Sequence, residues 1–206
     1  FSVGWHNAKE DLPSLRLANL AALQHPLSVD TYIDQTLRDA KAVLVRLIGG
    51  MPFWSYGLQQ LRAVAEENGI ALAVLAADGR ADSQLDEIST LPVSTLRRLR
   101  QLCDAGGPDA ASAALAQLAL SAGLFARPKI GQKNPPRVGG WSLQNRLSCP
   151  AAFALRVIPK PAVVISFYLS YLTAADLAPI EAAAQALEAR GFDVFGVFVP
   201  SLNCLL

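Results

Sequence analysis

Ala42-Val43-Leu44-Val45-Arg46-Leu47-Ile48-Gly49-Gly50, the aromatic loop Phe53-Trp54-Ser55-Tyr56 and the run Ile70-Ala71-Leu72-Ala73-Val74-Leu75 decide the fold of this chain. Between loop and run, Gly57 opens a segment with Leu58, Leu61, Val64 and Ala65 at helical spacing, which Asn68-Gly69 ends. Strand, loop, amphipathic helix, strand is the order of a parallel crossover. The two strand runs are continuously apolar instead of alternating, which calls for a sheet covered on both faces.

Working outward, the same plan recurs near the other end. Val163-Val164-Ile165-Ser166-Phe167 reads as a strand, and Tyr168 to Tyr171 lead into a loop. Pro179 suits a first helical turn, where its missing N–H costs nothing. Ile180, Ala183, Ala184 and Leu187 follow at helical spacing, Arg190-Gly191 stops the helix, and Val194 to Val199 completes the unit. The length between the two units favours two lobes. The expected fold is α/β, with parallel-sheet βαβ units of the Rossmann or flavodoxin-like kind in two incomplete lobes joined by helices and an arm. Residues 1–90 form the first lobe and 91–125 a helical connection, built from Pro92 to Cys103 and Pro108 to Ala122 around Gly106-Gly107. Residues 126–160 are a Pro/Gly-rich basic arm without an element, and 161–206 begin a second, truncated lobe. Leu15 to Leu20 reads as a short strand, and Val29 to Ala40 as a helix capped by Ser28 or Asp30.

Of the 206 residues, 52% are hydrophobic and 17% charged, a folded and not a disordered composition. The stretch from Ala162 to Ala175 is interrupted by Ser166, Tyr168, Ser170, Tyr171 and Thr173, and is shorter than the roughly 20 apolar residues that cross a bilayer. The opening residues, with Lys9, Glu10 and Asp11, lack the apolar core of a secretory leader. Cys103, Cys149 and Cys204 are widely spaced and form no Cys-x-x-Cys pair, so a zinc or iron–sulfur site has no support and a reducing cytoplasm is expected. The net charge of +1 hides an asymmetry. No acid stands between Asp109 and Asp176, while Arg127, Lys129, Lys133, Arg137, Arg146, Arg156 and Lys160 do. That span is either a solvated connection or a surface for an anion or acidic partner. Nucleic acid is a poor fit, because Phe125, Trp141 and Phe153 are too sparse to stack bases.

The usual chemical signatures are missing: no P-loop, no G-x-G-x-x-G after a strand, no G-x-S-x-G elbow and no H-E-x-x-H. His6 and His25 are the only histidines, too few for a histidine-rich metal site. Candidates therefore come from position. Ligands of open parallel sheets sit beyond the carboxyl ends of the strands, and both units place aromatic loops there. Arg46, Gly49, Gly50, Trp54, Tyr56, Tyr168 and Tyr171 are the candidate substrate-binding residues. Glycines let backbone approach a ligand, and Trp and Tyr offer flat apolar faces. A plain structural reading stands beside this one: Gly49-Gly50 only turns the chain, and Trp54 and Tyr56 pack beneath the loop. Arg46 either faces an anionic ligand or reaches a carboxylate such as Asp78. His25 before Pro26 reads as structural, and Asp176 before Pro179 either caps its helix or contacts a ligand, the cap being the preferred reading. No residue is singled out as catalytic or metal-ligating.

Several ordered motifs resemble one family. His25-Pro26-Leu27-Ser28-Val29-Asp30, then Val43 to Gly50 with Trp54 and Tyr56-Gly57, is similar to the N-terminal region of the large subunit of aerobic-type cobaltochelatase; the magnesium chelatase large subunit is a more distant relation. Gly69 to Leu75 with Asp78-Gly79-Arg80, Leu91-Pro92 through Gly106-Gly107-Pro108, Ser166 to Tyr171, Ala178-Pro179-Ile180 and Phe198-Val199-Pro200-Ser201-Leu202 extend the likeness. It omits about 125–161. It departs at Leu169, where an arginine is expected, near Ala175, where a glycine is expected, and over Asn203-Cys204-Leu205-Leu206.

The resemblance implies a tetrapyrrole-binding subunit of cobalamin biosynthesis that works in the cytoplasm. Such a subunit holds hydrogenobyrinic acid a,c-diamide while cobalt, a substrate, is inserted, and AAA+ ATPase and accessory subunits use the ATP. It further implies that the metal-inserting His and carboxylate groups lie downstream, that this stretch binds no cofactor itself, and that alone it is inactive. Two other classes remain: a noncatalytic α/β interaction module, and a two-lobed Rossmann-like small-molecule enzyme relying on Asp78 or Asp176.

Overall fold

The computed structural model describes residues 1–78, 81–127, 136–145, 147 and 161–200. The chain divides into two units, Phe1–Gln132 and Lys133–Leu206. Gly79, Arg80, Lys129, Lys133, Arg146, Cys149, Phe153, Arg156, Lys160 and residues 201–206, all used in the sequence reading, lie outside the described residues.

The first unit is built on β1 (Ala42–Leu47) and β2 (Ala71–Ala76), which pair in parallel from Ala42 opposite Ala71 to Leu47 opposite Ala76. Its helices are α1 (Ser2–His6), α2 (Pro26–Tyr32, continued by a π turn over Ile33–Leu37), α3 (Ser55–Asn68), α4 (Ser83–Ile88), α5 (Val93–Ala105) and α6 (Gly107–Ser121). The crossover helix α3 ends where Gly69 takes φ +64°, which lets the Ile70 N–H donate to the Ala65 carbonyl at 2.9 Å. One sheet face, Val45, Leu47, Leu72 and Val74, packs on Leu58, Leu61 and Ala65 of α3 and on Val29, Ile33 and Leu85. The other, through Ala73 and Leu75, packs on Leu96, Leu99 and Leu102 of α5 and Ala113, Ala114 and Leu118 of α6. Burial on both faces is what continuous apolar strands require. The helices of 91–125, read from sequence as a connection, thus form the second covering layer of this unit.

Two local readings need correction. α2 begins at Pro26, not Val29, and its cap is neither Ser28 nor Asp30: His25 Nδ1 accepts from the Leu27 N–H at 3.2 Å. Proline at the first helical position fixes φ and has no N–H to satisfy, so the helix starts a turn earlier. Residues 15–20 form no strand; only a short 3-10 turn, Leu20–Ala22, follows, with Asn19 Oδ1 accepting from the Ala21 N–H.

In the second unit, β3 (Gly139–Trp141), β4 (Ala162–Tyr168) and β5 (Asp193–Val199) form a sheet in the order β3-β5-β4. β4 and β5 are parallel, as expected, with α7 (Leu169–Thr173) and α8 (Ala178–Glu188) between them. β3 runs antiparallel to β5, so the span read as an arm without elements contributes a strand. Absent side chains make it possible: a Cβ on Gly139 would collide with the Phe198 ring, and one on Gly196 would collide with Trp141. Trp141, Phe167, Ala184, Val194 and Phe198 form the core, with Trp141 and Phe167 edge-to-face at 6.0 Å between ring centres.

No side chain caps α8, so Asp176 does not play that part. Its N–H instead donates to the Tyr171 carbonyl at 2.9 Å, closing α7 with Ala175 at φ +56°. This is the place in a helix-end motif that glycine normally fills, and an L side chain there costs about 1–2 kcal/mol. Ala175→Gly is therefore expected to stabilise the second unit by about 0.5–1 kcal/mol, once the glycine's greater unfolded-state freedom is set against the relief. Urea denaturation of the two forms checks this.

Candidate functional site

At the carboxyl ends of β1 and β2 the chain opens a cleft of about 280 Å³, lined by Leu47, Gly49, Gly50, Pro52, Asp78, Asp82 and Gln84 among others. Gly49 and Gly50 stand at φ +95° and +66°, backbone that other residues rarely adopt, and this brings bare backbone to the cleft. Asp82 Oδ1 caps α4 by accepting from the N–H groups of Gln84 and Leu85 at 3.0 and 3.3 Å. Its other oxygen faces Gly50 so closely that a Cβ there would lie 3.0 Å away. The cleft thus combines glycine backbone with carboxylates, chemistry suited to hydrogen-bond donors on a ligand.

The other candidates of this unit divide. Trp54 is only 7% exposed, and its indole N–H donates to the Leu23 carbonyl at 2.7 Å. Its ring lies flat against Gly57, where any Cβ would collide with it. It is a core residue with no face left for a ligand. Tyr56 is 37% exposed, and its hydroxyl donates to Asp30 at 2.8 Å. That hydrogen bond, then burial and the carboxylate's charge, raise the phenol's pKa.

Arg46 reaches Asp104, not Asp78: Nη2 lies 3.0 Å from Oδ1, and the guanidinium sits at the last turn of α5, where a cation also suits the helix dipole. Its Nε is buried without a partner among the described residues. Beside this pair burial pushes the Cys103 thiol up to about 11, against the smaller opposing pull of Arg46. The folded state thus holds the Cys103 proton more tightly than the unfolded state. The associated stability is complete below pH 9.0 and is lost as pH rises toward 11. Its size is at most about 3 kcal/mol. Denaturation curves across that window should fall more steeply for the parent than for Cys103→Ala.

In the second unit Tyr168 ends β4 and Tyr171 lies in α7, 43% and 37% exposed, so both present ring surface at the carboxyl end of the parallel pair. Leu169, at the position where an arginine was expected, packs against the core of this unit. Among the described residues no three His, Cys, Asp or Glu side chains gather to hold a metal, and no helix is long and apolar enough to cross a membrane.

Fold and site together define an α/β protein whose strand ends carry glycine, tyrosine and carboxylate groups. No family model matches the sequence. The chain is 34% identical, over 96% of its length, to the aerobic cobaltochelatase subunit CobN of a Sinorhizobium species, and 31% identical, over 94%, to that of Pseudomonas aeruginosa. The catalytic subunit of cobaltochelatase from Mycobacterium tuberculosis matches 98% of the chain with a TM-score of 0.67 at 19% identity, a likeness of fold. The chain belongs to the aerobic cobaltochelatase CobN family, and it spans 16% of the length of the curated relatives it matches.

Proposed function

We propose that this chain is a tetrapyrrole-holding part of the large subunit of an ATP-dependent cobaltochelatase, acting in the cytoplasm in cobalamin biosynthesis. The observation that carries this reading is the 34% identity to a CobN subunit across 96% of the chain. The substrate is hydrogenobyrinic acid a,c-diamide, into which cobalt is inserted, and AAA+ ATPase and accessory subunits hydrolyse the ATP. Cobalt insertion requires deprotonating ring nitrogens and stripping water from the ion, tasks for His and carboxylate side chains. These belong to the remainder of the subunit, since the chain spans 16% of its relatives, and the chain alone has no chelatase activity.

Within each unit the strand-end groups serve the ring. Gly49 and Gly50 present backbone N–H and carbonyl groups, Tyr56, Tyr168 and Tyr171 offer flat partial faces, and Arg46 supplies positive charge held by Asp104. The exposure of the three tyrosines, and the place of Gly49, Gly50, Tyr168 and Tyr171 at the carboxyl ends of the parallel strands, support this reading.

Absorbance titration of the full-length subunit with hydrogenobyrinic acid a,c-diamide tests it. Binding should be seen, and it should weaken about tenfold in Tyr168→Ala or Tyr171→Ala, the loss of one aromatic contact. A full-length subunit that folds and does not bind the ring defeats the proposal. Cobalt insertion by the 206-residue chain, given ATP and the partner subunits, defeats the claim that it is inactive alone.

A further inference from the structure

We propose that the outer edge of β1 is a slot for one extended, apolar strand supplied by a part of the subunit outside these 206 residues. The two edges of the first sheet differ. Lys41 and Leu47 carbonyls accept from the Ala71 and Ala77 N–H groups, so the odd-numbered residues of β1 face β2. The N–H and carbonyl groups of Ala42, Leu44 and Arg46 therefore point the other way, where they meet no partner among the described residues. On β2 the corresponding edge is sealed: Leu72 and Val74 donate to Thr90 Oγ1 and Ser89 Oγ at 2.8 and 2.9 Å, and the Thr90 N–H returns to the Leu72 carbonyl at 3.0 Å. β1 also lacks the usual protections of an open edge. It has no proline, and its one charge, Arg46, is paired with Asp104.

A cavity of about 720 Å³ runs along this edge. Val29 and Ile33 of one covering layer line it, and so do Leu118 and Ala119 of the other, so it lies in the plane of the sheet. A strand occupies about 4.8 Å between neighbours, about 10 Å between layers and about 3.3 Å along its length, or about 160 Å³ per residue. The space suits four to five residues. The chain's own segment from Leu12 to Ala18 forms another wall. A second copy would bring its own Leu12 to Ala18 segment against that wall, whereas a single strand meets no such obstacle. With covering layers above and below, the entering strand carries a continuous apolar run. The relatives hold ample chain to supply it, since this chain spans 16% of their length.

The test uses the full-length subunit. Amide hydrogen exchange at Ala42, Leu44 and Arg46 should be as slow as at Leu72 and Val74, at least about a hundredfold slower than in open loops. A photo-crosslinking residue in place of Leu17, 59% exposed at the cavity wall, should capture an apolar peptide from elsewhere in the subunit. Loop-like exchange at the three amides overturns the proposal, as does capture of a second copy, an ATPase subunit or a segment of these 206 residues. The result is independent of tetrapyrrole binding: a subunit that fails to bind the ring while protecting these amides leaves the slot standing.

Discussion

Trp54→Ala is expected to destabilise the first unit by about 3–5 kcal/mol, the cost of emptying a large buried aromatic site. The side chain is 7% exposed, joins the cluster of Val45, Leu47, Leu58 and Leu72, and pins the chain at Leu23 through its indole N–H. Loss of that hydrogen bond frees the turn before α2 as well as opening a cavity. Trp54→Phe keeps most of the packing and gives up the N–H, so it should cost about 1–2 kcal/mol. Urea denaturation followed by far-UV circular dichroism, with amide exchange at Leu72 and Val74, measures both. Ring binding per folded molecule should not change in either variant. A Trp54→Ala protein of parental stability and weakened ring affinity would return this residue to the ligand.

The first unit was legible in its sequence because its strands carry no ambiguity of face. Ala71 to Ala76 is buried throughout, and the run of apolar residues says so directly. The glycine that stops α3 is equally plain, since Gly69 adopts the left-handed conformation its position suggests. The direction in which Trp54 points is not a matter of pattern. A ring three residues before Gly57 can fold back over the helix start only where no Cβ stands, so Gly57 was the available signal. The partner of Arg46 was hidden for a different reason: Asp104 lies 58 residues away on a helix that sequence placed outside this lobe. Alternation along β1 pointed to it, because Val45 and Leu47 face α3 and leave Leu44 and Arg46 on the α5 side.

In the second unit the parallel pair was readable and the third strand was not. β3 is three residues long, too short to show a period, and two of the three are glycines, which ordinarily mark a break. Here Gly139 is what lets the strand pass the Phe198 ring. Ala175 shows the converse case. The expectation of a glycine there came from the family likeness, and the backbone shows why: the position is left-handed whatever residue fills it.

Trp141→Ala should unfold the second unit under conditions the parent survives. The side chain is fully buried, edge-on to Phe167 and laid across Gly196. Its removal costs about 3–5 kcal/mol in packing, together with about 0.5–1.5 kcal/mol for the aromatic pair. Domains commonly hold only about 5–15 kcal/mol in all. The same change detaches β3, because Trp141 supplies the one large side chain by which that strand grips the sheet. Its indole nitrogen has no hydrogen-bond partner among the described residues, so the ring acts through shape alone and Trp141→Phe should recover most of the loss. Thermal denaturation, with amide exchange at Gly196 and Phe198 on β5, whose N–H groups face β3, separates the outcomes. Fast exchange in the alanine variant and near-parental exchange in the phenylalanine variant are expected; unchanged exchange in both would make residues 139–141 a surface arm with no structural part in the sheet.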